Sequence, residues 1–233
     1  MGSEILIFLP GMMCDERLFA PQIAALSGNH NIIVPGLTEE TISGMAKSVL
    51  EKAGDHKINL VGLSMGGIVA MAMLDLAPQQ ISRLALLDTN HLADPAERYA
   101  IRNRQIEDVK QGKLREVIVE EMKPVYLAME NRQDEALLAL LIDMAMDVGP
   151  ETFVAQSLAL RDRPEQTASL QNYAGKSLVL CGEEDALCPP ERHHQMAELL
   201  GEATLDVIAG AGHISTLEQP ERVTAALQNW LEA

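Results

Sequence analysis

The sequence predicts an α/β fold: a mostly parallel sheet of about six strands, covered by helices on both faces and interrupted once by a helical cap. Three observations carry this expectation. Apolar strand-like runs alternate with segments of helical periodicity at both ends of the chain. The runs are almost continuously apolar, as strands buried on both faces are, and do not alternate as half-exposed strands would. The alternation stops between residues 91 and 173, where only helical spacing is found, so residues 1–90 and 174–233 are expected to form the core and 91–173 an insertion.

Taken in order, Glu4–Leu9 is a buried strand ended by Pro10-Gly11, and residues 16–27 have helical spacing through Leu18, Ile23 and Leu26. Residues 31–34 make a short second strand. Residues 41–54 place Ile42, Met45, Val49 and Leu50 on one side of a helix. The third strand, from Ile58, runs into Gly62-Leu63-Ser64-Met65-Gly66 and then a helix stopped by Pro78, with a fourth strand over 83–88. In the insertion, Leu137, Leu140, Leu141 and Met144 form one apolar face, and Leu114, Val117, Ile118, Met122 and Val125 another near Pro124. The core resumes with a strand over 176–181, a helix over 191–200, a strand at Ala203–Ile208 and a closing helix over 220–231.

Composition narrows the function classes. A chain of 233 residues, 47% of them hydrophobic, suffices for one sizeable core. A formal net charge of −16 argues against a nucleic-acid partner and against a membrane partner, since both demand clustered Lys and Arg. Three cysteines, Cys14, Cys181 and Cys188, leave an odd thiol and show no metal-ligand spacing, which fits a reducing compartment. The apolar run at 5–9 is too short to span a membrane and has no basic stretch before it, so a cytoplasmic location is expected.

The chemistry centres on Ser64. A serine at the tip of a tight strand-to-helix turn is exposed to reactants, while the helix behind it aims free N–H groups, that of Met65 first, at a developing negative charge. Such a serine needs a base and an acid that orients the base. His213, in the glycine-rich loop after the last strand, has the placement of the base. His30 and His56 lie where strands begin, His193 and His194 fall within an expected surface helix, and His91 opens the insertion. Asp185, after the preceding strand, is the expected acid ahead of Glu183 and Glu184. Cys14 has no base placed for it and reads as a small buried thiol.

Leu9-Pro10-Gly11-Met12, Gly62-Leu63-Ser64-Met65-Gly66-Gly67, the stretch from Gly182 to Pro189, and Gly212-His213 followed by Glu218-Gln219-Pro220-Glu221 together resemble the α/β-hydrolase family over nearly the whole chain. Within it the chain is similar to small capped esterases and lactonases, the 3-oxoadipate enol-lactonase-like group included. The resemblance implies Ser64 as nucleophile, His213 as base, Asp185 as its partner, and the backbone of Met12 with Met65 as the oxyanion hole. Pro10-Gly11 stands where many relatives carry His-Gly, so the oxyanion loop must be braced differently here. Relatives usually place an antiparallel hairpin first, so a sheet shortened to six strands is expected.

The implied activity is hydrolysis of a small-molecule ester, thioester or lactone through an acyl-serine, with no cofactor and no metal. Two alternatives are C–C bond cleavage by the same residues, and ligand sensing with little turnover. Met13, beside Met12 and Met65, is a candidate for lining an adaptable substrate pocket. The insertion's Leu, Ile, Val and Met predict an aliphatic pocket; an anionic substrate would need one of Arg98, Arg102, Arg161 or Arg163.

Overall fold

The computed structural model describes residues 4–233. Six strands, β1 (Glu4–Leu9), β2 (Ile32–Ile33), β3 (Lys57–Leu63), β4 (Ile81–Leu87), β5 (Lys176–Gly182) and β6 (Ala203–Ile208), form one sheet in the order β2-β1-β3-β4-β5-β6. Every neighbouring pair is parallel. Side chains of successive strand residues point to opposite faces, and β1 shows the result. Ile5, Ile7 and Leu9 enter one core with Met45, Val49 and Met71, whereas Leu6 and Phe8 enter the other with Phe19, Leu227 and Trp230. Both faces are therefore filled, which is why the strands lack polar alternation.

Helices α1 (Ala20–Leu26) and α2 (Ile42–Ala53) follow β1 and β2, and α3 (Met65–Leu76) follows β3. Thr41 caps α2 by accepting the Gly44 N–H at 3.0 Å, and its buried residues Ile42, Met45, Ala46, Val49 and Ala53 recur at helical spacing. Met65 through Leu74 of α3 are all buried, so this helix is apolar around its whole circumference. It is the central element behind the turn at Ser64.

Between β4 and β5 the described residues form helices and no strand: α4 (Ala96–Lys110), α5 (Leu114–Glu116), a π-helical turn at Val117–Met122, α6 (Glu135–Arg161) and α7 (Thr167–Gln171). Gly149, at φ 85° and ψ 169°, breaks the helical backbone inside α6 just before Pro150, which kinks it. The chain closes with α8 (Pro190–Leu200), α9 (Ser215–Glu218) and α10 (Pro220–Glu232), the last packing Val223, Leu227 and Trp230 inward. No helix of the described residues is long and apolar enough to cross a membrane.

The sheet order reverses direction between β1 and β3. Connections on the two sides of such a point leave toward opposite faces, which opens a crevice at the carboxyl ends of the strands. The loop after β1 and the turn after β3 border that crevice.

Candidate active site

Ser64 adopts φ 55° and ψ −117°, a conformation that side chains other than glycine rarely take. The turn is held by the Ser64 N–H donating to the Leu87 carbonyl at 2.9 Å and by Thr89 Oγ1 donating to the Ser64 carbonyl at 2.7 Å. Its tightness explains two glycines: a Cβ on Gly62 would run into the Gly66 carbonyl, and one on Gly66 into the Leu9 carbonyl.

His213 meets Ser64 from the loop after β6. Its N–H donates to the Tyr126 carbonyl at 2.7 Å, and Glu218 Oε1 accepts the Gly212 N–H at 2.8 Å, fixing the loop on both sides. His213 Nε2 lies 2.9 Å from Ser64 Oγ, and Nδ1 lies 2.8 Å from Asp185 Oδ2. Asp185 Oδ1 accepts the N–H groups of Leu187 and Cys188, each at 2.9 Å. With Asp185 ionised, Nδ1 carries the proton it donates and Nε2 is left to accept from the serine hydroxyl. Glu183 and Glu184 are exposed, and Glu184 is engaged with the Met129 N–H.

The electrostatics favour that arrangement. Burial alone would lower the His213 pKa, but the charge of Asp185 and its hydrogen bond outweigh it and raise the value above the ordinary one. Burial likewise opposes ionisation of Asp185, yet His213 and the Cys188 N–H hold its pKa below the usual carboxylate value. Behind the pair, Asp88 is fully buried at the end of β4, accepting the Gly182 N–H at 2.9 Å and sitting 2.5 Å from Ser215 Oγ. Burial, then the charge of Asp185, pushes its pKa up to about 8, so it is largely a neutral acid at neutral pH.

In the loop after β1, the backbone N–H groups of Met12 and Met13 are engaged differently. The Met13 N–H donates to Gln156 Oε1 at 2.9 Å, and Gln156 Nε2 donates to the Leu37 carbonyl at 2.8 Å. A buried amide from α6 thus braces the loop. The N–H groups of Met12 and Met65 have no acceptor among the described residues. The Met13 side chain, expected as a pocket wall, is instead fully buried in the core and does not line the cavity, because its backbone turns back at φ 57°.

Ser64, His213, Met12 and Met65 open onto a cavity of about 450 Å³. Met122, Val125 and Tyr126 cover it from the helical segment, and the Tyr126 ring meets the His213 ring edge-on at 5.4 Å. Another cavity, of about 470 Å³ between Arg17, Leu37 and Gln156, contains none of the three hydrogen-bonded residues.

The remaining candidates fall away for physical reasons. Cys14 is buried, and burial raises its thiol pKa, leaving it a poor nucleophile. Asp185, Cys188 and His213 place potential metal-ligating atoms within 4.8 Å of one another. Asp185 and His213 already spend those atoms on each other, on Ser64 and on backbone N–H groups, and burial raises the Cys188 pKa, so the set does not suit a metal. His193, expected on a surface, is buried: Nε2 accepts the Thr89 N–H at 2.9 Å and burial lowers its pKa to about 4. It is a neutral strut under the Ser64 turn. None of Gln156, Asp88 and His193 was marked by a motif; the one visible signal was the polar pair Gln156-Ser157 inside the mostly apolar run Phe153–Leu160.

The chain is similar over its full length to known proteins. It is 28% identical to a thermophilic esterase from Thermogutta terrifontis, covering 100% of this chain and 91% of that one with a TM-score of 0.88. The enol-lactonase from Burkholderia xenovorans LB400 has the same fold, with a TM-score of 0.87 at 20% identity over 100% and 93% of the two chains. Against a biotin biosynthesis bifunctional protein of Cellvibrio japonicus the chain is 24% identical over all its length but spans only 48% of that protein. The profile of the Alpha/beta hydrolase family matches residues 6–226, and the chain belongs to that family.

Proposed function

We propose that this protein is a serine hydrolase that cleaves a small carboxylic ester, thioester or lactone. The observation that supports it most is the unbroken hydrogen-bonded line Ser64–His213–Asp185 ending in a cavity beside two unclaimed backbone N–H groups. In this reading His213 Nε2 takes the Ser64 proton as Oγ attacks the substrate carbonyl carbon. The tetrahedral oxyanion is held by the Met12 and Met65 N–H groups, an arrangement in which each donor is worth about 10²–10³ in rate. The tetrahedral intermediate collapses with cleavage of the carbonyl-to-leaving-group bond as the imidazolium returns its proton to the departing alcohol or thiol, leaving an acyl-serine. Water then adds to the acyl carbon with His213 again as base, and collapse releases the acid and regenerates Ser64. Asp185 stays ionised throughout and stabilises the imidazolium formed in both halves. Residues 91–173 act as the cap that excludes water and selects the substrate.

The test is a panel of p-nitrophenyl esters, acyl thioesters and lactones assayed on wild type and Ser64→Ala together. Turnover of at least one class that disappears in Ser64→Ala supports the reading. Full activity in Ser64→Ala, or none in the wild type on any substrate, contradicts it.

A further inference from the structure

The cavity that holds Ser64 has one charged wall. Arg98, Ile101, Arg102 and Gln105, at helical spacing on one face of α4, all line it, and Arg163 joins them from the end of the helical segment. Arg102 Nε donates to Asp94 Oδ2 at 2.5 Å, and an Arg163 terminal nitrogen donates to Asp94 Oδ1 at 2.9 Å. Two guanidiniums thus share one carboxylate, which leaves a unit of positive charge uncompensated. All three side chains are nearly sealed from solvent, at 9%, 6% and 3% exposure for Arg102, Arg163 and Asp94.

Their remaining hydrogen-bonding capacity is unequal. Arg163 also donates to the Leu92 carbonyl at 2.9 Å and the Leu160 carbonyl at 3.3 Å, so it is anchored to the fold. Arg102 spends only Nε, and its two terminal nitrogens have no acceptor among the described residues. The one other carboxylate on this wall, Glu121, is already held by Arg104 through two hydrogen bonds. Burial draws the Arg163 guanidinium below its ordinary pKa with Asp94 opposing, the sign of a cation with little solvent to support it. A buried positive charge without a partner is costly, and the forked Arg102 donors match a carboxylate.

We propose that Arg102, held by Asp94 and Arg163, is a binding residue for a carboxylate carried by the substrate, which makes the preferred substrate an ester or lactone with a free acid group. This rests on the hydrolase reading above, and it adds a charged anchor to the aliphatic pocket expected from the sequence. Of the two remaining candidates, Arg98 lines the same wall but is exposed to solvent, so its charge needs no partner, and Arg161 pairs with Asp162 and Asn103 outside the cavity.

The experiment compares monomethyl glutarate with dimethyl glutarate, which differ in one charge. The wild type is expected to favour the half-ester by about tenfold or more in kcat/KM, the size of one charge-assisted pair. In Arg102→Gln the ratio should fall toward unity, mainly through KM, with Arg102→Lys recovering part of it and Arg161→Gln keeping the wild-type ratio. Arg102→Gln leaves Asp94 paired with Arg163, and circular dichroism verifies its fold. Equal use of both esters by the wild type, or an unchanged ratio in Arg102→Gln, overturns the proposal. A second arm titrates monomethyl glutarate into Ser64→Ala by calorimetry. Binding that is lost in Ser64→Ala/Arg102→Gln supports the carboxylate site even if neither ester is hydrolysed, a result that would count against the hydrolase reading alone. Turnover of both esters without charge preference would overturn the carboxylate site alone.

Discussion

The strand-end loops and the helices between β4 and β5 face each other across one cavity, yet different physics holds each side. On the strand side, position is set by backbone: a strained φ at Ser64, carbonyls packed where Gly62 and Gly66 allow no Cβ, and N–H groups that fix Asp185. On the helical side, position is set by side chains: Asp94 between two arginines, and the edge of Tyr126 on His213. Backbone constraints admit few residue types, whereas side-chain pairings can be exchanged for others of similar size and charge. The chemistry is therefore expected to fail abruptly when the strand side is altered, and the substrate to change when the helical side is.

The largest effect that could break this contrast is on the strand side. Ser64→Ala or His213→Ala should reduce ester hydrolysis by about 10⁴-fold or more without unfolding the protein, and steady-state assays with a melting curve decide both points. A residual rate near that of the wild type would remove the strand loops from the chemistry.

Next in size is Asp185→Asn, for which a loss of about 10²–10⁴-fold is expected, because the amide no longer fixes the tautomer or supports the imidazolium. The pH profile sharpens it. Hydrolysis needs neutral His213, whose pKa is raised by Asp185, so the rising limb of kcat/KM should lie above the ordinary histidine value of about 6.5. In Asp185→Asn it should move to lower pH. Glu184→Gln should leave both rate and limb in place.

These expectations also show which features were legible in the sequence. That Ser64, His213 and Asp185 meet was legible because each stands in a glycine- or proline-bounded turn or loop at a strand's carboxyl end, where neighbouring strands bring such loops together. The six parallel strands followed from apolar runs buried on both sides, although the second shrank to Ile32–Ile33. What could not be read depends on helix packing. Arg163 reaches the Asp94–Arg102 pair only because α4 packs on α6, and no spacing in the chain encodes that. Gln156 braces a loop 143 residues away, and the inward turn of the Met13 side chain follows from that bond and its positive φ. His193 was assigned to a surface by helical position, but α8 turns that ring toward Thr89.

The smallest effect concerns stability and separates Asp88 from the reacting residues. Its folded pKa, near 8, lies far above that of an exposed carboxylate, so the folded state binds an extra proton between those values. Its contribution is complete below the unfolded pKa and declines as pH rises through about 8. Asp88→Asn, which cannot ionise, should lose less melting temperature than the wild type between pH 5 and pH 9. Identical pH slopes would mean that Asp88 is ionised in the folded protein.

In the proposed reaction the acyl group is carried on Ser64 Oγ. The most direct measurement is intact-mass and peptide mapping after brief exposure to a fluorophosphonate. One adduct is expected, on Ser64, formed rapidly in the wild type and very slowly in His213→Ala. An adduct on Cys14, or a Ser64 adduct formed equally fast without His213, would contradict it.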